Sequence, residues 1–241
     1  MPLARSRLLP KLPWKAMYFD GQDDYVETSN VIRGRDKVSV EVFVYAESFD
    51  GIDRTVLGQW NSPETFLIWY DVGDNKWEVI INDSAGNVLK AVPDIYAKEK
   101  EWVHLLCTYD KDNELLLYIN AELRAHTKSL GNPINMGKEY LGIGFDYSIH
   151  NYFHGYIAFV RVYDRALTDS EIEWNYYHPD DPVRSGLVLW LHYDSIDEEN
   201  NIWRDKTANG NNGTIYGATP AEFTKPPIRK LTPSRTLSPE R

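Results

Sequence analysis

Oxygen-bearing side chains gather at two turns of the sequence. Asp20-Gly21-Gln22-Asp23-Asp24 offers three carboxylates, and the stretch from Asp205 to Asn211 offers Asp205, Asn209 and Asn211. Hard cations such as calcium take about 6–8 oxygen ligands of this kind. Asp20, Asp23, Asp205, Asn209 and Asn211, with Asp24, are therefore candidate metal ligands, although the same residue types also cap β-turns. A second chemistry lies in the aromatics, because sugars stack on Trp and Tyr faces while polar neighbours fix their hydroxyls. Trp60 and Trp69 stand beside loops, and Asp146-Tyr147-Ser148-Ile149-His150-Asn151-Tyr152 mixes stacking and hydrogen-bonding groups away from strand alternation. Tyr147, His150, Asn151, Tyr152, Trp60 and Trp69 are the candidate ligand-binding residues.

Other chemistries find less support. The histidines (His104, His126, His150, His154, His178 and His192) show neither metal spacing nor a nucleophile motif. Asp197-Glu198-Glu199 reads as a solvated charge cluster. Cys107 is the single cysteine, so no internal disulfide or multi-cysteine zinc site exists, and its apolar run places it in a core strand. Sequons at Asn82 and Asn212 matter only on a secretory route. The net charge is -10. Residues 1–15 carry four bases and no acid, and residues 221–241 carry five bases against two acids, which leaves the body at -17. An acidic body argues against nucleic acid as the main partner, and the basic ends suit acidic surfaces of neighbouring subunits. No apolar run is long enough to span a bilayer, and residues 1–15 lack the pattern of a secretory signal.

The elements that would position these groups are short runs rich in Val, Ile, Tyr, Phe and Trp. Gly, Asn, Asp and Pro punctuate them every eight to twelve residues or so, the pattern of a β-sandwich. Ser39-Val40-Glu41-Val42-Phe43-Val44 alternates, with the valines on one face. Thr168-Asp169-Ser170-Glu171 has the spacing of a capping box and predicts one short helix near residues 169–176, stopped by Pro179. The expected organisation is a basic arm over residues 1–13, one sandwich over residues 14–220, and an extended Pro-rich basic tail over residues 221–241.

The phrase from Met17 to Glu27 (MYFDGQDDYVE) resembles the opening of laminin-G-like, concanavalin-A-like jelly-roll domains. Val38–Val44, Trp102-Val103-His104 through Thr108-Tyr109-Asp110, and Leu117–Asn120 are similar to its successive strands. Phe153–Ile157, Val160-Arg161-Val162-Tyr163 and Arg165–Ile172 are similar to its closing strands and capped helix. The resemblance implies an all-β, two-sheet antiparallel jelly-roll sandwich. Gly186–Leu191 and Asp205–Gly217 look like the part that usually precedes the opening strand, so a circular permutation is expected, with this segment completing the same sandwich. That would bring the two oxygen-rich turns together, where many relatives hold a cation. Ala158 and Phe159 stand where the family often has acids, which would weaken such a corner. Glucan-hydrolysing relatives carry Glu-x-Asp-x-x-Glu on one strand, and no strand here reads so. Asn120-Ala121 replaces the usual Asn-Gly, which predicts a wider or strained hairpin.

The leading expectation is a non-enzymatic structural or attachment module on a virion or extracellular surface, assembling with neighbouring subunits through its ends. The alternative is a calcium-assisted carbohydrate-binding module, with glycan as partner. A glycoside hydrolase of the same fold is the third reading.

Overall fold

The computed structural model describes residues 13–148 and 151–224. In chain order its strands are β1 (Pro13–Asp20), β2 (Tyr25–Ser29), β3 (Lys37–Ala46), β4 (Arg54–Gln59), β5 (Phe66–Asp71), β6 (Lys76–Asn82), β7 (Val88–Ala91), β8 (Trp102–Asp110), β9 (Glu114–Ile119), β10 (Glu122–Lys128), β11 (Tyr140–Ile143) and β12 (His154–Tyr163). The helix α1 (Asp169–Tyr177) follows, then β13 (Leu187–Asp197), β14 (Ile202–Asp205), β15 (Gly213–Tyr216) and β16 (Thr219–Thr224). All pairings are antiparallel. One layer runs β10-β9-β8-β3-β12, and the other runs β15-β2-β11-β4-β5-β6-β7. β13 and β14 join the layers. The structure is the antiparallel jelly-roll sandwich that the sequence predicts.

Strand alternation decides which residues meet between the layers. Val38, Val40, Val42 and Val44 of β3 and Val103, Leu105 and Cys107 of β8 face Phe66, Ile68, Val79 and Ile81 of the opposite layer in one core. Burial pushes the Cys107 thiol up to about 12, leaving it inert packing rather than a nucleophile.

β12 is shared by two partners along one edge. β1 pairs with its His154–Ile157 end and β13 with Phe159–Tyr163. An irregularity at Ala158 marks the change of partner, since a bulge residue breaks the ladder and bends the strand. β15 then pairs with β2 through Tyr216 opposite Tyr25. The segment after the helix thus joins the sandwich instead of opening a second one. Two strands escape the sequence reading. β14 is only four residues within a polar stretch, and β16 carries Pro220 yet pairs with β1 along the edge.

The outward residues of β3, β8 and β12 are not polar in the ordinary sense. Glu41, His104 and Arg161 are all buried, at 0%, 1% and 0% exposure. The Arg161 Nη1 donates to Glu41 Oε1 at 3.0 Å, and His104 Nε2 lies 2.8 Å from the same oxygen. Asn175 of α1 donates to Glu41 Oε2 at 2.9 Å, and its Oδ1 accepts the Val183 amide at 2.8 Å. Arg161 also donates to the Pro179 carbonyl and lies 3.9 Å from the Phe159 ring centre. Burial alone would raise the Glu41 carboxyl, but Arg161 and His104 outweigh it and hold the group below its ordinary 4.5. The helix is thereby fixed to the outer face of the sheet. Its start is the expected capping box, with Thr168 and Glu171 reciprocally bonded. Arg165 beside Glu171 draws that carboxyl down to about 2.

The β9–β10 hairpin is not widened. Asn120 and Ala121 both take positive φ, 54° and 62°, and Ile119 pairs with Glu122 across the tight turn. Ala121 carries the left-handed strain.

Three outcomes follow from these features. Replacing Arg161 by Met strands a buried carboxylate and should cost about 3–5 kcal/mol in denaturant unfolding. Because the folded Glu41 value is depressed, its contribution is complete above the unfolded value and disappears as pH falls through the folded one. The stability gap between wild type and Glu41→Gln should therefore stay constant from about pH 7 to about pH 5 and shrink as the pH falls below the unfolded value of about 4.3. Ala121→Gly should raise stability by up to about 1 kcal/mol by removing the strain, read as an upward shift in Tm.

Candidate functional site

The outer face of the β15-β2-β11 layer has an aromatic surface built by strand phase. Val26 and Ile215 point into the core, so their neighbours Tyr25, Glu27 and Tyr216 point outward. Tyr25 and Tyr216 stack with ring centres 4.4 Å apart and planes 15° from parallel. Tyr25 also meets Phe145 at 4.3 Å. Phe145 then contacts Tyr147 at 4.3 Å and Tyr152 at 5.8 Å. The patch is continuous, and Tyr216 keeps 43% of its surface exposed.

The Tyr147 hydroxyl donates to Glu27 at 2.5 Å. Burial and that carboxylate raise its pKa far above the ordinary tyrosine value, so it stays a hydrogen-bond donor. Asp146 organises the loop by accepting from Ser148 at 2.9 Å and from Thr55 at 3.0 Å. The Asn151 carbonyl accepts the Thr55 amide at 2.9 Å. The loop is thus fastened to β4.

Arg54 fastens it a second time. Its side chain is almost wholly buried and donates to the carbonyls of Gly21 at 3.0 Å, Tyr152 at 2.7 Å and Phe49 at 3.2 Å, and to Asp50 at 2.5 Å. One guanidinium therefore ties the acidic turn of β1–β2 to the aromatic loop. Gly21 permits this approach: it has φ +78°, and a Cβ there would lie 2.7 Å from His154 Cβ.

At that turn the carboxylate oxygens of Asp20, Asp23 and Asp24 lie within 4.8 Å of one another. Asp24 is 7% exposed, and its carboxyl is raised by burial, then by Asp20 and Asp23, against the lowering hydrogen bond from the Asp20 amide. A divalent cation would relieve this crowding of like charge. The turn abuts the aromatic patch. Gly217, next to Tyr216, lies so close to Asp24 that a Cβ would come 2.1 Å from its Oδ1, and the charge of Asp23 contributes to the raised pKa of Tyr152 after burial.

Asp205, Asn209 and Asn211 are placed differently. Asp205 accepts the amides of Trp190, Thr207 and Asn211 and the Thr207 hydroxyl at 2.8–3.0 Å. Asn209 and Asn211 both donate to the Val188 carbonyl. These residues build the approach to β15, and the acidic group at Asp20 does not include Asp205. Ala158 and Phe159 pack with Ala16 and Phe43 on the outer face of the other layer. Ala158 lies four residues along β12 from His154, the partner of Asp20, or about 13 Å at strand rise, so it has no bearing on that turn.

Of the other expected ligand-binding residues, Trp69 points outward on β5, opposite Thr55 and Glu78, with the Lys90 ammonium 5.9 Å from its ring centre. Trp60 lies beyond the far end of β4, half-buried. His150 lies outside the described residues. Beside Trp69, Asp71, Asp74 and Glu78 form a second acidic group. Lys90 occupies its centre, 2.7 Å from Glu78 and 3.3 Å from Asp71. Burial pushes the Glu78 carboxyl up to about 7 despite Lys90. Sequence reasoning missed Tyr25, Phe145, Tyr216, Glu27 and Arg54. The outward phase of Tyr25 was readable, but its stacking on Tyr216 depends on a register between residues far apart in sequence.

An antiparallel jelly-roll sandwich of this strand order is a lectin-like fold. The family described as the concanavalin A-like lectin/glucanases superfamily matches residues 20–173, and the chain belongs to it. Among solved structures it is similar to a proposed carbohydrate-binding protein from Bacteroides ovatus, with a TM-score of 0.70 and 21% identity over 88% of this chain and 60% of that one. It is also similar to a heptameric SAP-like pentraxin from Limulus polyphemus, with a TM-score of 0.55 and 14% identity over 67% of this chain and 81% of that one. The binding domain of botulinum neurotoxin serotype G gives a TM-score of 0.57 and 12% identity over 69% and 43% of the two chains. A search of curated protein sequences finds no match. No helix among the described residues is long and apolar enough to cross a membrane.

Arg54→Met should cost about 2–3 kcal/mol, because it leaves buried carbonyls without their donor. Hydrogen exchange of the described residues 145–148 and 151–153 should rise more than that of β3 and β8; equal change in both would separate stability from loop anchoring.

Proposed function

We propose that this chain is a non-catalytic, calcium-assisted glycan-binding module whose site is the Tyr25–Tyr216–Phe145–Tyr152 patch and the neighbouring Asp20–Asp24 turn. The observation that carries the reading is the stacked Tyr25–Tyr216 pair, with Tyr216 exposed, lying beside a turn of three crowded carboxylates. Pyranose rings present C–H faces to aromatic rings and hydroxyls to carboxylates. Asp20, Asp23 and Asp24 would hold the cation, which would offer a sugar hydroxyl a positive centre. Tyr147 with Glu27, and the Asn151 side chain, would flank the ligand. The likeness to the Bacteroides ovatus protein supports the same reading. Lys90 sits against the second acidic group, at Glu78, which makes that group a poorer cation site. Assembly on a virion would run through the basic ends, residues 1–13 and 221–241, of which residues 1–12 and 225–241 lie outside those described.

A glycan array read with and without calcium, followed by calorimetry on the hits, tests the proposal. Tyr216→Ala should weaken the glycan hit about tenfold, the loss of about 1.4 kcal/mol. Asp23→Asn should abolish calcium enhancement. Because the Asp24 value is raised, protons should displace calcium as the medium is acidified, and affinity should fall with pH. An array silent in both conditions overturns the reading.

A further inference from the structure

Asparagine followed by glycine is the dipeptide in which a backbone nitrogen most readily attacks the preceding side-chain amide, because no Cβ hinders its approach. The chain contains two such pairs, Asn209-Gly210 and Asn212-Gly213, between β14 and the start of β15. The fold treats them differently. Asn209 and Gly210 are both exposed. Gly210 takes φ +72° with open space where a Cβ would stand, so the turn itself selects glycine after Asn209. Among the described residues the Gly210 amide has no hydrogen-bond partner.

Asn212 is exposed as well, but its glycine is not. Gly213 opens β15, pairs with Trp203 of β14 and is buried, and a Cβ there would lie 2.5 Å from Val26 Cγ1. The Asn212 Oδ1 also accepts the Asp205 amide at 2.9 Å. Ring closure at this pair would have to draw Gly213 out of the strand ladder and break that bond. At Asn209 the side chain makes one bond, from Nδ2 to the Val188 carbonyl at 2.9 Å, and Nδ2 is the atom that leaves.

We propose that Asn209 is a site of spontaneous isoaspartate formation, and that the change loosens the turn that delivers β15. The Gly210 nitrogen loses its proton to hydroxide and forms a bond to Asn209 Cγ. The Cγ–Nδ2 bond then breaks, Nδ2 takes a proton from water and departs as ammonia, and a succinimide ring remains. Water opens that ring at the main-chain carbonyl to give isoaspartate, or at Cγ to give aspartate. Either product loses the donor to the Val188 carbonyl and sets carboxylate oxygens near it. Isoaspartate also lengthens the main chain by one carbon. The Val188 carbonyl is left to Asn211 at 3.2 Å and Thr207 at 3.5 Å, and β15 starts three residues after Gly210. Neither step involves a glycan or a cation.

The test ages the full chain at mildly alkaline pH and body temperature, folded and in urea, and follows the tryptic peptide of residues 207–225. Electron-transfer fragmentation assigns the altered residue and separates isoaspartate from aspartate. In the folded chain, isoaspartate should accumulate at Asn209 at least about tenfold faster than at Asn212, because the second pair reacts only after the strand opens. In urea the two rates should converge, and Asn209→Gln should remove the fast product from the folded chain. Asn209→Asp, which copies the aspartate product, should raise hydrogen exchange in residues 205–216 and leave β3 and β8 unchanged. Equal rates at the two sites in the folded chain, or a faster Asn212, overturn the assignment of Asn209. Unchanged exchange in Asn209→Asp and in the aged protein overturns the loosening of β15.

Discussion

The buried pair of Glu41 and Arg161 is the constraint on which the rest of this sandwich depends. Two charges removed from water cost several kcal/mol each unless every oxygen and N–H finds a partner. Here most of those partners come from separate places, His104 on the neighbouring strand, Asn175 on the helix and the Pro179 carbonyl beyond it, while Arg161 Nε is buried without one. Because the pair spans β3 and β12, it also fixes the register of the two strands that carry most of the outward aromatics. Slipping either strand by one residue would turn a charge into the apolar core.

This network explains why the short sequence phrases were informative. Glu41 lies in the alternating valine strand, His104 in Trp-x-His, Arg161 in Val-Arg-Val-Tyr, and Asn175 in the capped helix. Each phrase looks like a local strand or turn signal, yet their distinctive members meet at one point. The valine alternation and the capping box were legible because they depend on neighbours within a few residues. β14 and β16 were not, since a short strand among charged residues and a strand containing Pro220 exist only because a partner edge is waiting.

The candidate site divides along the same line. Tyr147, Tyr152 and the acidic residues of the first turn were readable from composition and loop context. The expectation that Asp205, Asn209 and Asn211 would share that turn relied on topology alone. The topology does bring the late strands back, but hydrogen bonds decide what the side chains do, and Asp205 is already occupied by its own turn. The tyrosine pair that gives the patch its exposed face comes from β2 and β15, whose register no local pattern encodes.

The sharing of β12 between β1 and β13 bears on how the molecule is made. One edge of a central strand is filled partly by the beginning of the domain and partly by strands that follow the helix, while β16 returns to cover β1. A growing chain therefore cannot complete its first strand's environment until nearly the whole domain has been synthesised. Contacts so distant in sequence favour slow, late folding, and until β13 to β16 arrive the edges of β12 and β2 stand open to pairing with other chains. The bulge at Ala158, a single residue, sets the boundary between what the early and the late parts of the chain must each supply.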